Sequence, residues 1–198
     1  MDMYDGIVTR RSSRKFKDIV PEKKVLEKII HAGRVAPSGG NNQSVHFLVI
    51  TDKSVLDELA TMVREEFSKM EVEPDTYKSL RSAIEASKRG AYVFHYHAPV
   101  LVVLANKKNY GNAIADSSCA AMSMMLLANE LDLGSCWINQ LHWLTENERI
   151  RGYLESLGLG EEEWVCASLS IGYVNTEEGL PNRQEKLING NTVTWIEG

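Results

Sequence analysis

The segment that most constrains the fold runs from Asp116 to Leu131 and reads DSSCAAMSMMLLANEL. Its apolar residues would cover most of the circumference of a helix, whereas a helix on a protein surface carries one apolar stripe. Such a helix must lie at the centre of a large core or in a dimer interface. Ser117, Ala120 and Ala121 would let another helix approach closely. We interpret the methionine cluster as core packing in preference to a substrate-binding role.

The rest of the chain alternates predicted helices and strands, and no repeat or Pro/Gly/Ser-rich linker divides it. Residues 1–198 are therefore predicted to form a single domain. The run Pro99–Ala105 is continuously apolar, which is typical of a strand buried on both faces. Strands are predicted at Val45–Thr51, Pro99–Ala105, Ser135–Asn139 and Trp164–Val174, and helices at Met3–Thr9, between Pro21 and Pro37, and through Val55–Phe67.

Three later segments carry their own predictions. Thr145 with Glu148 three residues on forms a capping-box pattern, which predicts a helix from Glu146 to about Leu157. Within the segment 71–97, a helical stretch ending near Gly90 has a weakly apolar face, as a mobile cover over a site would. The apolar end Val193–Ile196 is too short for a core, so we expect it to pack on, or pair with, a second subunit.

Charge and composition exclude several classes of function. The net charge of -5 disfavours nucleic acid and anionic lipid surfaces as partners. The N-terminus lacks the apolar run of a signal peptide, and Val100–Ala105, the longest apolar run, is far too short to span a bilayer. We therefore expect a soluble, cytoplasmic protein that does not contact a membrane. The cysteines are widely spaced, and His95 and His97 lack a third ligand nearby, so no metal site is predicted.

Two polar clusters could bind a ligand. The run from Arg10 to Lys15 places four cations and two hydroxyls within six residues, which suits phosphate oxygens but is also what a solvated basic surface looks like. The segment 36–43, APSGGNNQ, joins a helix to a strand. Its glycines would let the backbone approach a ligand, and its polar side chains suit a heterocycle with an imide edge, although an ordinary turn has the same composition.

The order of four motifs is more informative than any one of them. R-R-S-x-R near the N-terminus, A-P-S-G-x-N-x-Q, L-G-S-C-W-I after the long apolar helix, and a late I-G-Y followed by an arginine together resemble the nitroreductase family. The resemblance covers nearly the whole chain. It implies an α+β sandwich, with a mixed and mostly antiparallel sheet flanked by helices. It also implies an intertwined homodimer that binds two FMN molecules in its interface.

The resemblance also assigns residues to the cofactor. Arg10, Ser12 and Arg183 would hold the phosphate with Arg11 close by, and Arg14 would lie near the flavin pyrimidine. The backbone at Asn139 and Gln140, after Ile138, would donate to flavin N5. From the partner subunit, the flavin would be contacted by Pro37, Ser38, Gly39, Asn41 and Gln43. The sequence departs from the family at Ser44-Val45, where Pro-Trp is common, and at Asn139-Gln140, where a glycine is common.

The implied activity is reduction of nitroaromatic, quinone or similar small acceptors with NAD(P)H. The flavin takes a hydride at N5 and passes on two electrons, so no catalytic side chain is required. Both substrates would stack on one ring face, which predicts ping-pong kinetics. Three alternatives remain open: a specialised enzyme of the same fold that dehalogenates, desaturates or fragments the flavin, a flavin-binding protein without turnover, and a nucleotide-binding module without flavin.

Overall fold

The apolar segments of the sequence assemble around one antiparallel sheet. The computed structural model describes residues 2–198, and within them the strands are β1 (His46–Ile50), β2 (Val100–Lys107), β3 (Gly134–Ile138) and β4 (Glu163–Gly172). The strand order is β1-β2-β4-β3, and every neighbouring pair is antiparallel. Parallel pairing among the described residues is limited to one isolated bridge, between Ser12 and Ser135. The α+β class predicted from the sequence is confirmed.

Helices cover both faces of this sheet. Among the described residues the helices are α1 (Met3–Thr9), α2 (Lys23–Arg34), α3 (Lys53–Ser68), α4 (Lys78–Lys88), α5 (Ala113–Glu130), α6 (Gln140–Trp143) and α7 (Glu148–Ser156), with a 3-10 turn at Gly39–Asn41. None of these helices combines the length and the apolar character needed to cross a bilayer.

Strand β2 lies in the middle of the sheet, as its continuous apolar run predicts. Leu101, Val103 and Ala105 pack into a core with α3, α4 and α7, while Val102 and Leu104 face a second core formed with α2 and α5. Alternate strand residues point to opposite faces, so a strand between two helical layers must be apolar at every position. The sheet is therefore the middle layer of a sandwich.

Helix α5 buries one side and exposes another. Ala121, Met124 and Ala128 are fully buried, whereas Ile114 and Met122 are each more than 40% exposed. Met124 packs against Gly33 of α2, where a Cβ would lie 2.8 Å from the methionine sulfur. Core packing explains the buried methionines, and the exposed apolar side agrees with the alternative of a dimer interface.

Two local expectations are corrected by the structure. The cap of α7 is Asn147, whose side chain accepts from the backbone N–H of Ile150, and not Thr145. The Thr145 hydroxyl accepts instead from the N–H of Val165 at 3.0 Å, so β4 uses the predicted cap. Helix α4 is not merely a surface cover, because Ala83 and Ile84 are buried in the core beside α3.

Candidate functional site

The arginine-rich run after α1 lies extended along the edge of β3. Ser13 N–H donates to the Ser135 carbonyl at 2.9 Å, and Lys17 N–H donates to the Tyr173 carbonyl at 2.8 Å. Phe16 forms a second bridge, with Val174. Hydrogen bonds therefore hold the backbone of this run at Ser13 and at Lys17, which fixes the arginines at the edge of the sheet.

Glycine is required where this run meets the sheet. A Cβ at Gly134 would lie 2.6 Å from Cβ of Ser13, and a Cβ at Gly172 would lie 2.7 Å from Cδ of Pro99. Separations of this size do not occur between real side chains. Gly134, in the L-G-S-C-W-I segment, makes room for Ser13 of the N-terminal run, whereas Gly172, in the I-G-Y segment, makes room for Pro99 just before β2.

The docked run forms a cationic cleft, which we call the arginine cleft. Its lining contains four cations and no carboxylate among the residues that the structure describes, and it consists of Arg10, Arg11, Ser12, Arg14, Asn182 and Lys186. Burial lowers the pKa of Arg10, and the neighbouring Arg11 cation lowers it further, although Cys136 acts in the opposite direction. The Nη1 atom of Arg11 is buried without a hydrogen-bond partner. Desolvated cations with unused donors fit an anionic group such as a phosphate.

The C-terminal side of this cleft differs from the sequence expectation. The guanidinium of Arg183 donates to the Asn129 carbonyl and to Oδ1 of Asp132 at the C-terminal end of α5. Lys186 and Asn182 line the cleft instead. No signal in the polar tail distinguished these two residues from their neighbours, because only the folded path of the tail brings them there.

The predicted ligand loop forms a second, separate cleft, which we call the loop pocket. Three residues of this loop have positive φ angles: Gly40 (59°), Asn41 (56°) and Gln43 (50°). The Ser38 hydroxyl accepts from Gln43 N–H at 3.0 Å, and Gln43 Nε2 donates to Asn41 Oδ1 at 2.8 Å. The pocket is lined by His31, Gly33, Arg34, Val35, Ala36, Pro37, Ser38, Gln43, Val45, Phe47, Asp116 and Ala120.

A buried carboxylate of α5 anchors this loop. Asp116 is 5% exposed; its Oδ1 accepts from Gly39 N–H at 3.0 Å and its Oδ2 accepts from the Tyr110 hydroxyl at 2.9 Å. A Cβ at Gly39 would lie 2.7 Å from that hydroxyl, so the close fit requires glycine. Sequence reasoning missed Asp116 and Tyr110, because neither lies in the loop that they hold.

The segment that follows β3 is tied down through its side chains. Ile138 is buried, and Asn139 Oδ1 accepts from the Trp137 indole N–H at 2.6 Å. Gln140 Nε2 donates to the Tyr92 hydroxyl at 2.6 Å, and its Oε1 is buried without a partner. Gln140 is the first residue of α6, where backbone N–H groups have no acceptor inside the helix. The backbone N–H groups at this point are therefore not used by α6 itself.

Within one chain these elements form two partial sites. The arginine cleft and the loop pocket share no lining residue. The structure brings Arg10, Arg11, Ser12 and Arg14 together, and separately Pro37, Ser38 and Gln43. Among residues 2–198, no three His, Cys, Asp or Glu side chains are grouped so as to hold a metal ion. His95 and His97 lie in a turn before β2 and not in a strand.

Comparison with known proteins agrees with this geometry. The model of the nitroreductase family matches residues 7–173. An Archaeoglobus fulgidus protein, provisionally named NADH dehydrogenase/NAD(P)H nitroreductase, is 28% identical over 175 residues, which are 87% of this chain and 85% of the relative.

Solved structures share the whole fold. A nitroreductase from Bacteroides fragilis, crystallised with bound FMN, is 33% identical and covers 100% of both chains with a TM-score of 0.86. A BluB-like flavoprotein from Clostridium difficile is 26% identical, again over 100% of both chains, with a TM-score of 0.75.

Proposed function

Because this chain belongs to the nitroreductase family, we propose that it is an FMN-dependent oxidoreductase that uses NAD(P)H to reduce nitroaromatic, quinone or similar small acceptors. The observation that carries the proposal is the arginine cleft, with four cations, no lining carboxylate and a partly desolvated Arg10. FMN is the cofactor crystallised with the Bacteroides fragilis nitroreductase. When bound, FMN would supply two-electron transfer between a reduced nicotinamide and the acceptor.

The residues of this chain would bind and orient that cofactor. Arg10 and Ser12 would hold the phosphate, joined by Lys186 in the same cleft and by Arg183 if its guanidinium leaves Asp132. Arg14 would face the flavin pyrimidine, and the backbone at Asn139 and Gln140 would donate toward the reacting edge. These contacts position the ring, so no side chain of this site needs to act as an acid or base.

We further propose that two copies of the chain complete each site. The loop pocket is separate from the arginine cleft, so a second subunit would supply Pro37–Gln43 to the cofactor that the first subunit holds. Two exposed apolar surfaces support a dimer: the side of α1 and α5 that carries Ile7 and Met122, and the tail that carries Trp195 and Ile196. Large exposed apolar groups of this kind are typical of interfaces.

The outer edge of strand β1 forms no strand pairing with any described residue. The strand pairs only with β2, whereas the free edge of β3 is occupied by the segment that contains Ser12. An open edge strand is a template for further pairing. The apolar end Val193–Ile196 of a second copy would extend the sheet there, as the sequence predicts in general terms for that end.

A visible spectrum followed by anaerobic titration tests the proposal. We expect a yellow protein whose flavin absorbance is bleached by NADH or NADPH and restored by a quinone or a nitroaromatic. Double-reciprocal plots of initial rate against nicotinamide concentration, measured at several fixed acceptor concentrations, should give parallel lines. A colourless preparation that does not bind added FMN would contradict the proposal, and a yellow protein that no nicotinamide reduces would favour a binding role. Product analysis with a halogenated phenol would separate the specialised enzymes.

A further inference from the structure

The turn that leads into β2 is held rigidly against the sheet. Phe94 and His95 are at most 3% exposed, and the His95 carbonyl accepts from the Ser170 hydroxyl of β4 at 2.9 Å. Tyr96 and His97 both have left-handed backbone angles, with φ of 57° and 55°. Two successive non-glycine residues in this region are uncommon and persist only where the surroundings impose them.

The N-terminal end of the same turn is fixed by Tyr92. Its hydroxyl accepts from Gln140 Nε2 at 2.6 Å, and its ring meets Phe67 edge to face at 6.3 Å. Burial raises the pKa of Tyr92, so the hydroxyl stays protonated. The turn is therefore connected to the segment after β3 that the proposed site uses.

The other tyrosine of the turn contacts the arginine cleft. The guanidinium carbon of Arg14 lies 5.7 Å from the centre of the Tyr96 ring, within the range of a cation–π contact. A hydrogen bond from the Arg14 guanidinium to the Tyr96 hydroxyl oxygen raises the pKa of Arg14, which favours its charged form. None of the ion pairs found among residues 2–198 includes Arg14. Tyr96 is therefore the aromatic group that restrains an otherwise unpaired cation.

We propose that Tyr96 is a positioning residue that holds the Arg14 guanidinium near the place of the flavin pyrimidine and would thereby raise the reduction potential of the bound FMN. The inference rests on the proposed function, because it requires FMN in the arginine cleft. The flavin ring gains negative charge on reduction, and a cation fixed in advance stabilises that charge more than a mobile one does. The segment 71–97 would thus act on the cofactor through Tyr96.

The test measures the midpoint potential and the FMN affinity of the reconstituted protein. Tyr96→Leu removes ring and hydroxyl, and Tyr96→Phe keeps the ring. We expect Tyr96→Leu to weaken the preference for reduced over oxidised FMN by about tenfold, equivalent to ~30 mV for a two-electron couple. The potential should become more negative, and Tyr96→Phe should shift it less. The matched control is Tyr77→Leu. Tyr77 is an exposed tyrosine of the same segment whose ring meets Trp143 edge to face and does not contact Arg14.

A double-mutant cycle decides whether Tyr96 acts through Arg14. In an Arg14→Gln background, either Tyr96 substitution should leave the potential unchanged. An equal shift in both backgrounds, or a wild-type potential in Tyr96→Leu and Tyr96→Phe, would overturn the inference while leaving the proposed function intact. Failure of the wild-type protein to bind FMN would remove both. Thermal unfolding of each variant identifies loss of the fold. If Tyr96→Leu does not fold, Tyr96→Asn takes its place, because it also removes the ring and asparagine tolerates the left-handed backbone at this position.

Discussion

A substitution of Arg10 best distinguishes the two interpretations of the arginine-rich run, a ligand site or a solvated basic surface. It ends α1, and burial lowers the pKa of its guanidinium, which makes it a cation that gains from an anionic partner. We expect Arg10→Ala to weaken FMN binding by roughly 10- to 100-fold, because a hydrogen bond to a charged group contributes about 1.5–3 kcal/mol. Fluorescence titration of the apoprotein with FMN measures this loss.

The control for Arg10 is Arg89→Ala. Arg89 is an exposed cation at the C-terminal end of α4, and it does not line the arginine cleft. This variant has the same change in net charge and should bind FMN like the wild-type protein. Unchanged affinity in Arg10→Ala would remove Arg10 from the phosphate site, whereas equal losses in both variants would indicate only a general effect of charge.

The buried side chain of His95 should make the stability of the protein depend on pH. Burial lowers the pKa of His95 to about 4. His97 and Lys53 act in the same direction, whereas the Ala98 backbone and Asp57 oppose them, and Asp18 lines the same small cavity. An unfolded histidine has a pKa near 6.5, so between pH 6.5 and 4 the unfolded chain binds a proton that the native state does not. The free energy of unfolding should therefore fall by up to about 3 kcal/mol as pH decreases through this window.

Urea unfolding at pH 7 and pH 4.5 measures that dependence. His95→Leu removes the titrating group but keeps a buried apolar side chain, so the variant should lose less stability than the wild-type protein over the same interval. His31→Leu, at an exposed position of α2, should keep the wild-type dependence. Equal losses in all three proteins would mean that carboxylates, and not His95, govern acid unfolding.

At the scale of elements, α7 tests the correction to its cap. Asn147 accepts from Ile150 N–H at 3.0 Å, and its Nδ2 donates to Glu66 Oε2 at 3.0 Å, which links α7 to α3. We expect Asn147→Ala to lower the free energy of unfolding by about 1–2 kcal/mol, as loss of a cap does. Glu148→Ala, at the position that the capping-box pattern singled out, should change it by less than about 0.5 kcal/mol. If chemical denaturation showed Glu148→Ala to be more destabilising than Asn147→Ala, the capping-box prediction would stand after all.

The spacing of apolar residues and the composition of the segments predicted the long helices and strands, whereas caps and several site residues depend on tertiary contacts. The continuous apolar run of β2 and the nearly all-round apolarity of α5 leave few alternatives to burial on both sides. Thr145 does not cap the helix because its hydroxyl accepts from Val165 N–H of β4, twenty residues away, and no local sequence pattern contains that contact. Lys186, Tyr96 and Asp116 escaped notice for the same reason. The order of four motifs identified the family although it could not place the Arg183 guanidinium, which binds the end of α5.

At the scale of the whole molecule, dimer formation and cofactor binding should be linked. If each FMN contacts the arginine cleft of one subunit and the loop pocket of the other, the ligand binds the dimer in preference to the monomer. Mass action then requires FMN to stabilise the dimer, and dilution of the protein to weaken FMN binding.

Removal of the apolar tail is the sharpest test of that link. Leu187, Ile188, Val193, Trp195 and Ile196 are between 69% and 96% exposed in the single chain, an expensive arrangement for side chains that could be buried. Burial of one such side chain contributes about 1.5–3 kcal/mol. Deletion of residues 187–198 should therefore weaken the dimer by at least about 100-fold, measured by sedimentation velocity. FMN affinity should fall with it.

The deletion retains Arg10, Ser12, Arg14 and Lys186, but it also places a terminal carboxylate on Lys186 in the arginine cleft. A full-length variant with serine at the five exposed apolar positions of the tail adds no such charge and should show the same loss of FMN affinity. Glu185→Gln, an exposed polar change beside the deleted segment, is the control and should keep both properties. A truncated protein that remains a tight dimer would show that α1 and α5 suffice for association and that the tail does not cover the edge of β1. A truncated monomer with wild-type FMN affinity would instead mean that one chain holds the cofactor alone, because the loop pocket of a partner would then contribute nothing to binding.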